Sequence, residues 1–300
     1  MNSSRSDTAA VSVEGLTKRY GRTAVVDGLS FTVRSGAVTG FLGPNGAGKT
    51  TVLKAVAGLV RPTAGRVLVR GGPVVSDARV MGVHIEPCGA HPGRTARAHL
   101  RTLAVLAGLP RARVGEVLEL VGLEHAAARR VGAFSLGMRQ RLGLASALLG
   151  DPEILVLDEP VNGLDPQTIR RLRTLIRERA RRGGTTLLSS HILSEAVKTV
   201  DDVVIIDKGR LVRAGTVDEL SRQSGGVTVH TPDPTQLAAL VADAGGRLRL
   251  GEEGALHIDG LSAASVAALA HRERILLEEI TSHTASLEDV FHDLTEGRNA

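Results

Sequence analysis

Aromatic residues are scarce in this chain of 300 residues, which has no Trp, one Tyr and four Phe. Its core must therefore be built mainly from the aliphatic side chains of Leu, Val, Ile and Ala. The chain has a single cysteine, Cys88, which excludes an internal disulfide and is typical of a reducing compartment. A disulfide-stapled secreted scaffold is thus excluded, and the length is sufficient for two domains with separate cores.

Long apolar runs are also missing from the chain. No run approaches the roughly 18 residues that a membrane-crossing helix needs. The stretch MNSSRSDTAA at the amino terminus is polar and has no apolar signal core. We therefore expect a protein that is soluble, or that a partner holds at a membrane.

Charge is unevenly distributed along the chain. Residues 1–220 contain 31 Lys and Arg against 20 Asp and Glu, whereas residues 221–300 contain 6 against 12. The net charge therefore changes from +11 to −6, which predicts a domain boundary near residue 221. A basic body suits nucleic acid or the anionic cytoplasmic leaflet of a membrane, but Arg-rich helices are equally typical of solvated surfaces.

The most informative stretch is GPNGAGKT, Gly43 to Thr50, which matches the phosphate-binding pattern G-x-x-x-x-G-K-[ST]. A short apolar run precedes it and apolar residues at helical spacing follow it, so the loop is predicted between a strand and a helix. Glycines let backbone N–H groups turn towards phosphate oxygens, Lys49 offers a positive charge, and Thr50 offers a hydroxyl to Mg²⁺. A chance glycine turn is the alternative, and the strand–loop–helix context argues against it.

Two carboxylates follow a second apolar run. Residues 154–160, ILVLDEP, predict a strand buried on both faces. Ligands of open α/β sheets lie at the carboxyl ends of strands, so Asp158 and Glu159 are expected beside the phosphate loop. Asp158 can hold Mg²⁺, and Glu159 can polarise a water for in-line attack on the γ-phosphate. A helix N-cap is the alternative interpretation of this Asp-Glu pair.

Single residues at the ends of other predicted strands are harder to interpret. His191 follows the buried run TTLLSS at the same sheet edge, and is either a structural histidine or a contact to the γ-phosphate. Tyr20 is either an ordinary strand-end aromatic or a flat surface on which adenine stacks. Strand patterns occur over 11–33, 64–74 and 80–86, and helical periodicity over 96–150.

The last 80 residues, 221–300, show a different pattern. Their order of strand, helix, strand, strand, helix, strand suits a small ferredoxin-like α+β unit. A closing helix is predicted with Ser286 as its N-cap and acidic residues in its first turn. This segment carries no catalytic pattern.

Together these motifs resemble the ATP-binding subunit of an ABC transporter over residues 11–220. The Walker A match is Gly43–Thr50, the Walker B match Ile154–Glu159, the signature match Phe134–Met138, the D-loop match Val161–Asp165, and the switch histidine His191. Five landmarks in this order are far more specific than the phosphate loop alone. The resemblance implies an α/β P-loop NTPase core with an antiparallel β subdomain and a helical insertion at about 88–150, followed by a small C-terminal α+β domain.

The resemblance also implies roles for individual residues. It makes Glu159, His191 and Lys49 catalytic, and it assigns Mg²⁺ to Thr50, Asp158 and Glu86. The residues that it assigns to ATP are Tyr20, Val25, Gly43, Pro44, Asn45, Gly46, Ala47, Gly48, Lys49, Thr50, Thr51, Glu86, Ser135, Gly137 and Asp165.

Two departures from the family pattern stand out. Leu136 and Met138 occupy signature positions where the family usually has Gly and Gln, and this variant is similar to drug and antibiotic exporters of the type-two ABC class. Glu86 stands where the Q-loop glutamine is usual, which changes the local charge. Residues 221–300 resemble the accessory domain of the same exporter class, which implies regulation or support of a dimer.

The resemblance implies a mechanism that needs partners. Two copies pair head to tail, and Ser135 with the positive end of its helix closes over the ATP of the other copy. A separate polytopic permease at the cytoplasmic face of the membrane docks on residues 87–100 and the helical insertion, and exports a drug, antibiotic or lipid-like cargo. The homodimer is favoured over pairing with a sibling chain.

Two other function classes are alternatives to a transporter ATPase. One is a soluble ABC ATPase that acts on nucleic acid or ribosomes, for which the basic body is a hint, although a single Walker A and no heptad run argue against it. The other is a non-catalytic nucleotide-binding regulator, against which the intact Glu159 argues. We expect no nucleic-acid partner.

Overall fold

The computed structural model describes residues 9–283 apart from 75, 88, 192–197, 224–225 and 252–253. The chain divides into two compact units, Met1–Ala214 and Gly215–Ala300. Cys88 and the helix predicted at Ser286 lie outside the described residues.

The larger unit contains an antiparallel sheet built from the first strands of the chain. Its strands are β1 (Ala9–Tyr20), β2 (Thr23–Arg34), β4 (Ala64–Val69) and β5 (Gly72–Pro73), in the order β2-β1-β4-β5. Along β2 the residues Leu29, Phe31 and Val33 are buried and their neighbours are exposed. This alternation confirms the half-buried strand that the sequence predicts.

A six-stranded sheet forms the centre of the same unit. Its strands are β3 (Val38–Leu42), β6 (Met81–His84), β7 (Ile154–Leu157), β8 (Thr185–Ser190), β9 (Asp202–Asp207) and β10 (Arg210–Thr216). The order is β10-β9-β3-β8-β7-β6, and the five strands from β9 to β6 are parallel. Every residue of β3, β7 and β8 is buried, as expected for strands covered on both faces. The carboxyl ends of these strands therefore share one edge.

The two sheets share one core. The rings of Phe31 and Phe41 lie 5.1 Å apart between centroids, and they join the antiparallel sheet to the central strand β3. Most of the cluster around them is Val, Leu, Ile and Ala, including Val11, Leu16, Leu53 and Val204. The aliphatic core predicted from the scarcity of aromatics is confirmed.

Helices occupy the segments between strands. They are α1 (Lys49–Val56), α2 (Ala96–Leu106), α3 (Ala112–Leu120), α4 (Leu136–Leu148), α5 (Pro166–Arg181) and α6 (Val217–Gln223). Helices α2 to α4 lie between β6 and β7 in sequence, and confirm the predicted helical insertion. Among the described residues, no helix is both long enough and apolar enough to span a bilayer.

The smaller unit has the predicted order of elements. They are β11 (Gly226–His230), α7 (Pro234–Asp243), β12 (Arg247–Leu250), β13 (Leu256–Asp259), α8 (Ala263–Arg272) and β14 (Glu279–His283). The sheet is antiparallel in the order β12-β13-β11-β14. Val227, Val229 and Ile258 pack with Leu237 and Val266 of the two helices, so this unit has a core of its own.

Candidate functional site

The phosphate loop connects β3 to α1 at the carboxyl edge of the central sheet. Gly48 immediately precedes α1 with a φ of 101°, a conformation that side chains rarely adopt. A Cβ at Gly48 would lie 2.9 Å from the carbonyl oxygen of Val25, and one at Gly43 would lie 2.5 Å from that of Ile206. Glycine is therefore required at these two positions by close contacts with neighbouring backbone. Gly46 also has a left-handed φ, of 82°, but open space beside it.

Backbone hydrogen bonds, within the loop and to Gly209, fix the rest of its conformation. The carbonyl of Pro44 accepts a hydrogen bond from the N–H of Ala47 at 3.2 Å, and the carbonyl of Ala47 accepts one from the N–H of Gly209 at 3.0 Å. Asn45 and Gly46 are exposed at the tip, and Thr51 is half-buried in the first turn of α1. The base of the loop is thus fixed by backbone hydrogen bonds, and its tip is exposed.

Lys49 is a buried cation at the centre of the site. Its Nζ donates to the carbonyl oxygens of Gly43 at 2.8 Å and Pro44 at 3.2 Å, and lies 3.3 Å from Oε1 of Glu159. The residue is only 6% exposed. The ammonium group therefore lies inside the loop, with the Glu159 carboxylate as its counter-charge.

Asp158 follows β7, and its carboxylate accepts hydrogen bonds from two hydroxyl groups. Its Oδ2 accepts from Thr50 Oγ1 at 2.7 Å, and its Oδ1 accepts from Ser189 Oγ at 2.7 Å. The residue is 5% exposed, and no cationic side chain among the described residues forms an ion pair with it. A buried carboxylate without a cation is costly, so the arrangement suits an added cation.

Glu159 links the lysine to the histidine. Its Oε2 lies 2.8 Å from Nδ1 of His191, and its backbone N–H donates to Ser189 Oγ at 2.8 Å. Its φ of 46° lies in the left-handed region, which is unusual for a glutamate and is a strained conformation of the kind that clusters at functional sites. Four residues from three distant parts of the chain thus form one contact series, from Lys49 through Glu159 to His191 and Ser189.

Glu86 lies just beyond β6, next to a buried polar pair. Its carboxylate accepts a hydrogen bond from Nε2 of Gln140, and the Oε1 of Gln140 lies 2.5 Å from Nε2 of His84. Burial lowers the pKa of His84 below its usual value, and the hydrogen bond of Gln140 and the charges of Glu86 and Asp158 offset part of that effect. The carbonyl of His84 accepts from the Asp158 N–H at 2.8 Å, so Glu86 and Asp158 flank the same strand end.

Tyr20 and Val25 lie on the antiparallel sheet. Tyr20 is 50% exposed at the end of β1, and the Lys18 ammonium lies 5.0 Å from the centre of its ring. Val25 is half-buried, and its backbone carbonyl is next to Gly48 of the phosphate loop. A flat, half-exposed ring on the strand pair that contacts the loop is available for stacking on a base.

The signature residues begin α4, and Asp165 begins α5. Ser135 is exposed and its Oγ accepts from the Met138 N–H at 3.2 Å, which makes it the N-cap of α4. A Cβ at Gly137 would lie 2.8 Å from the carbonyl oxygen of Gly163, so the signature and the segment before Asp165 are in direct contact. Asp165 accepts from the hydroxyl and the N–H of Thr168, and these bonds lower its pKa.

Three residues in these networks had no role in the sequence analysis: Ser189, Gln140 and His84. Ser189 is the next-to-last residue of a buried strand, two positions before His191, and a hydroxyl at that edge is the signal that identifies it in retrospect. Gln140 and His84 are 3% exposed. A polar side chain within an apolar segment indicates that it has a buried hydrogen-bond partner. The sequence does not show which residue that is, because Gln140 is more than 50 residues from His84 and Glu86.

The described residues contain no cluster of three or more His, Cys, Asp or Glu side chains that would form a complete metal cage. Mg²⁺ in nucleotide sites is typically held by one or two protein groups together with phosphates and water. Thr50 and Asp158 provide such a pair, 2.7 Å apart. The site is therefore suited to bind a phosphorylated nucleotide, neutralise its charge and activate a water near Glu159.

Comparison with known proteins identifies the family. A model described as ABC transporter matches residues 26–162, and a domain of unknown function matches residues 225–288. The bacitracin transport ATP-binding protein BcrA of Bacillus licheniformis is 44% identical over 215 residues, which cover 70% of each chain. The daunorubicin resistance ATP-binding protein DrrA3 of Streptomyces coeruleorubidus is 39% identical over 243 residues, 78% of this chain and 77% of the relative.

The solved structures agree with this assignment. The structure of an ATP-binding subunit of an ABC transporter has a TM-score of 0.66 and 32% identity, and the match covers 71% of this chain and 92% of the other. The fold, the site geometry and these relatives lead to one conclusion. The chain belongs to the ATP-binding proteins of ABC transporters, and is an enzyme that binds and hydrolyses ATP.

Proposed function

We propose that this protein is the ATPase subunit of an exporter that moves a drug, an antibiotic or a lipid-like molecule through a separate membrane permease. The relatives named for bacitracin transport and daunorubicin resistance support this cargo class. The same relatives give no support to an ATPase that acts on nucleic acid. The protein would be peripheral, at the cytoplasmic face of the membrane, and its permease would dock on residues 87–100 and the helical insertion.

The observation that carries the catalytic part of the proposal is the pairing of Asp158 with Thr50 and of Glu159 with Lys49. Thr50 and Asp158 would hold Mg²⁺, which supplies charge neutralisation at the β- and γ-phosphate oxygens. Phosphate oxygens that enter the loop would compete for Lys49. Its ion pair with Glu159 would then weaken, and the Glu159 carboxylate would be available to a water.

Glu159 is proposed as the general base, and His191 as its orienting partner and a contact to the γ-phosphate. The Glu159–His191 contact of 2.8 Å supports a fixed orientation of the carboxylate. Glu86 is proposed to act at the Mg²⁺ site or on the attacking water, and Tyr20 with Val25 to contact the adenine base.

The signature residues are proposed to act on a second copy of the chain. Ser135 is exposed at the N-terminus of the 13-residue helix α4, where a hydroxyl and the positive end of the helix favour a phosphate. Two copies in a head-to-tail homodimer would each complete the other's site with Ser135 and Gly137, and Asp165 would order the D-loop. ATP binding would favour the closed pair and hydrolysis would reopen it.

The smaller unit is proposed to regulate the ATPase or to support the dimer. Charge supports a functional boundary near residue 221, since residues 1–220 are basic and residues 221–300 are acidic. The match to a domain of unknown function over 225–288 agrees with a separate module.

A change of Glu159→Gln tests the catalytic proposal. Loss of the base should lower ATP turnover by roughly 100- to 10,000-fold while ATP binding persists. Glu153→Gln is the matched control, because Glu153 directly precedes the same strand β7 at its other end and pairs with Arg70 on the surface. Turnover of the control should stay within about twofold of the unchanged protein.

Unchanged turnover in Glu159→Gln would contradict the general-base assignment. The transporter assignment has its own test, which is purification from cells in mild detergent. A polytopic membrane protein should co-purify with the chain, and repeated recovery with RNA but never with a membrane protein would contradict the proposal.

A further inference from the structure

A series of hydrogen bonds connects the end of β6 to the signature helix. Nε2 of His84 lies 2.5 Å from Oε1 of Gln140, and Nε2 of Gln140 donates to the carboxylate of Glu86. His84 and Gln140 are each 3% exposed, whereas Glu86 is exposed. A buried amide thus binds a surface carboxylate that would otherwise be free to adopt many rotamers.

The carboxylate of Glu86 determines which group donates and which accepts in each hydrogen bond of the series. An ionised carboxylate only accepts hydrogen bonds, so the NH₂ group of Gln140 must face Glu86. The carbonyl oxygen of the same amide then faces His84, and Nε2 of His84 must carry a proton to donate to it. Both hydrogen bonds of the series then join a donor to an acceptor, which favours one orientation of the buried amide.

The series lies between Asp158 of this chain's own site and the helix whose first residues are proposed to act on a second copy. The His84 carbonyl accepts from the N–H of Asp158 at 2.8 Å, and Gln140 lies five residues after Ser135 on the same helix. The helix itself rests on the strand, since a Cβ at Gly82 would lie 1.9 Å from the carbonyl oxygen of Ala147. Gln140 therefore has a rigid support, and Glu86 is the movable member of the series.

We infer that Gln140 is a positioning residue, which, oriented by His84, holds the Glu86 carboxylate beside the Mg²⁺-binding edge of the site. The inference rests on the proposed role of Glu86 in Mg²⁺-dependent ATP hydrolysis. A methionine or leucine would fill the same buried space without a polar atom. The amide is instead used to bind a side chain at the surface, which a purely packing role does not require.

A double-mutant cycle tests the inference through an exchange of donor and acceptor. In Gln140→Glu the new carboxylate still accepts from His84, but it faces the Glu86 carboxylate and repels it. Combining it with Glu86→Gln restores a donor–acceptor pair with the roles reversed. ATP turnover should be measured against Mg²⁺ concentration at saturating ATP, for the full chain and each variant, with thermal unfolding as a check of folding.

We expect Gln140→Glu alone to lower turnover at saturating ATP by about tenfold and to raise the Mg²⁺ concentration for half-maximal turnover, as for loss of one hydrogen bond to a charged group. In the Glu86→Gln background the same change should cost less than about twofold. An equal loss in both backgrounds would overturn the inference. If Gln140→Glu does not fold, Gln140→Met replaces it. Gln140→Met should lower ATP turnover in the unchanged protein but not in the Glu86→Ala background.

A readout independent of activity separates this inference from the proposed function. Nitrogen-15 NMR of the histidine rings at one neutral pH should report His84 protonated at Nε2. That signal should persist in Glu86→Ala and change in Gln140→Met. A wild-type protein with this signal but no Mg²⁺-dependent turnover would refute the proposed function alone, whereas protonation at Nδ1 only would refute the positioning series.

Discussion

The two ends of the six-stranded sheet neutralise their charges in different ways. At the amino end, acidic residues pair with arginines: Arg34 with Asp202 at 2.6 Å, Arg70 with Glu153 at 3.1 Å, and Arg179 with Asp151 at 2.8 Å. At the carboxyl end, Lys49 pairs with Glu159, and among the described residues the Asp158 carboxylate is bound only by the hydroxyls of Thr50 and Ser189. Protein cations balance the first end, whereas the second leaves room for an added one.

A cavity of about 810 Å³ lies at the amino end, lined by residues that include Arg70, Asp151, Arg179 and Thr185. Of the Walker residues its lining includes only Ile154, the first residue of the Walker B match, and it includes none of the residues proposed to bind ATP or Mg²⁺. Left-handed backbone occurs at both ends, at Glu159 and at Asp151. Charge balance, rather than backbone strain or the volume of a cleft, therefore distinguishes the end of this sheet that is proposed to bind ATP.

The largest expected effect comes from exchanging one aspartate at each end. Asp158→Asn removes the charge that would attract Mg²⁺ and should lower ATP turnover by about 100-fold or more. Asp151→Asn should leave turnover within about twofold and lower stability by about 1 kcal/mol, because its partner Arg179 loses an ion pair. Turnover assays and urea unfolding would check both variants. Equal losses of turnover in the two variants would contradict the proposal that only the carboxyl end of the sheet binds Mg²⁺.

Glycines at the two ends provide the next test. Gly48→Ala and Gly150→Ala would each place a Cβ against a backbone carbonyl, 2.9 Å from Val25 and 2.1 Å from Ala78 respectively. Both should lower the free energy of unfolding by roughly 2 kcal/mol or more. Only Gly48→Ala should also weaken ATP binding, measured with a fluorescent analogue. Unchanged ATP affinity in Gly48→Ala would contradict this prediction and would indicate that the loop can shift to accept a Cβ at this position.

The smallest expected effect is at a surface ion pair. Asp202→Asn removes the carboxylate bound by two nitrogens of Arg34, at 2.8 and 2.6 Å. We expect a loss of about 1 kcal/mol or less in stability, smaller at high salt, and no change in turnover. Urea unfolding at two salt concentrations would measure it. A loss that does not respond to salt would indicate that packing, rather than charge, sets the stability of the amino end.

The parts of the site that the sequence predicts are local in the chain. The phosphate loop, the Asp158–Glu159 pair and the Asp165 cap each depend on a few consecutive residues whose chemistry restricts the backbone. The order of strands and helices in both units follows from hydrophobic periodicity in the same way. These features could therefore be predicted without knowing which strands are neighbours.

The features that could not be predicted depend on contacts across the fold. Ser189 belongs to a run of strand residues in which a buried serine looks like any other small residue, and only the pairing of β7 with β8 brings it to Asp158. Gln140 and Glu86 are 54 residues apart, and one side-chain bond joins them. The left-handed backbone at Glu159 also has no sequence signal, because glutamate does not favour it.

The central position of β3 has a consequence for how the protein is made. This strand pairs with β8 and β9, and backbone N–H groups beside it bind Thr185 and Asp201, which lie 149 and 163 residues further along the chain. A ribosome therefore releases the phosphate loop long before its neighbours exist. The site is complete only once β9 has emerged, so ATP binding can stabilise the chain only after that point in synthesis.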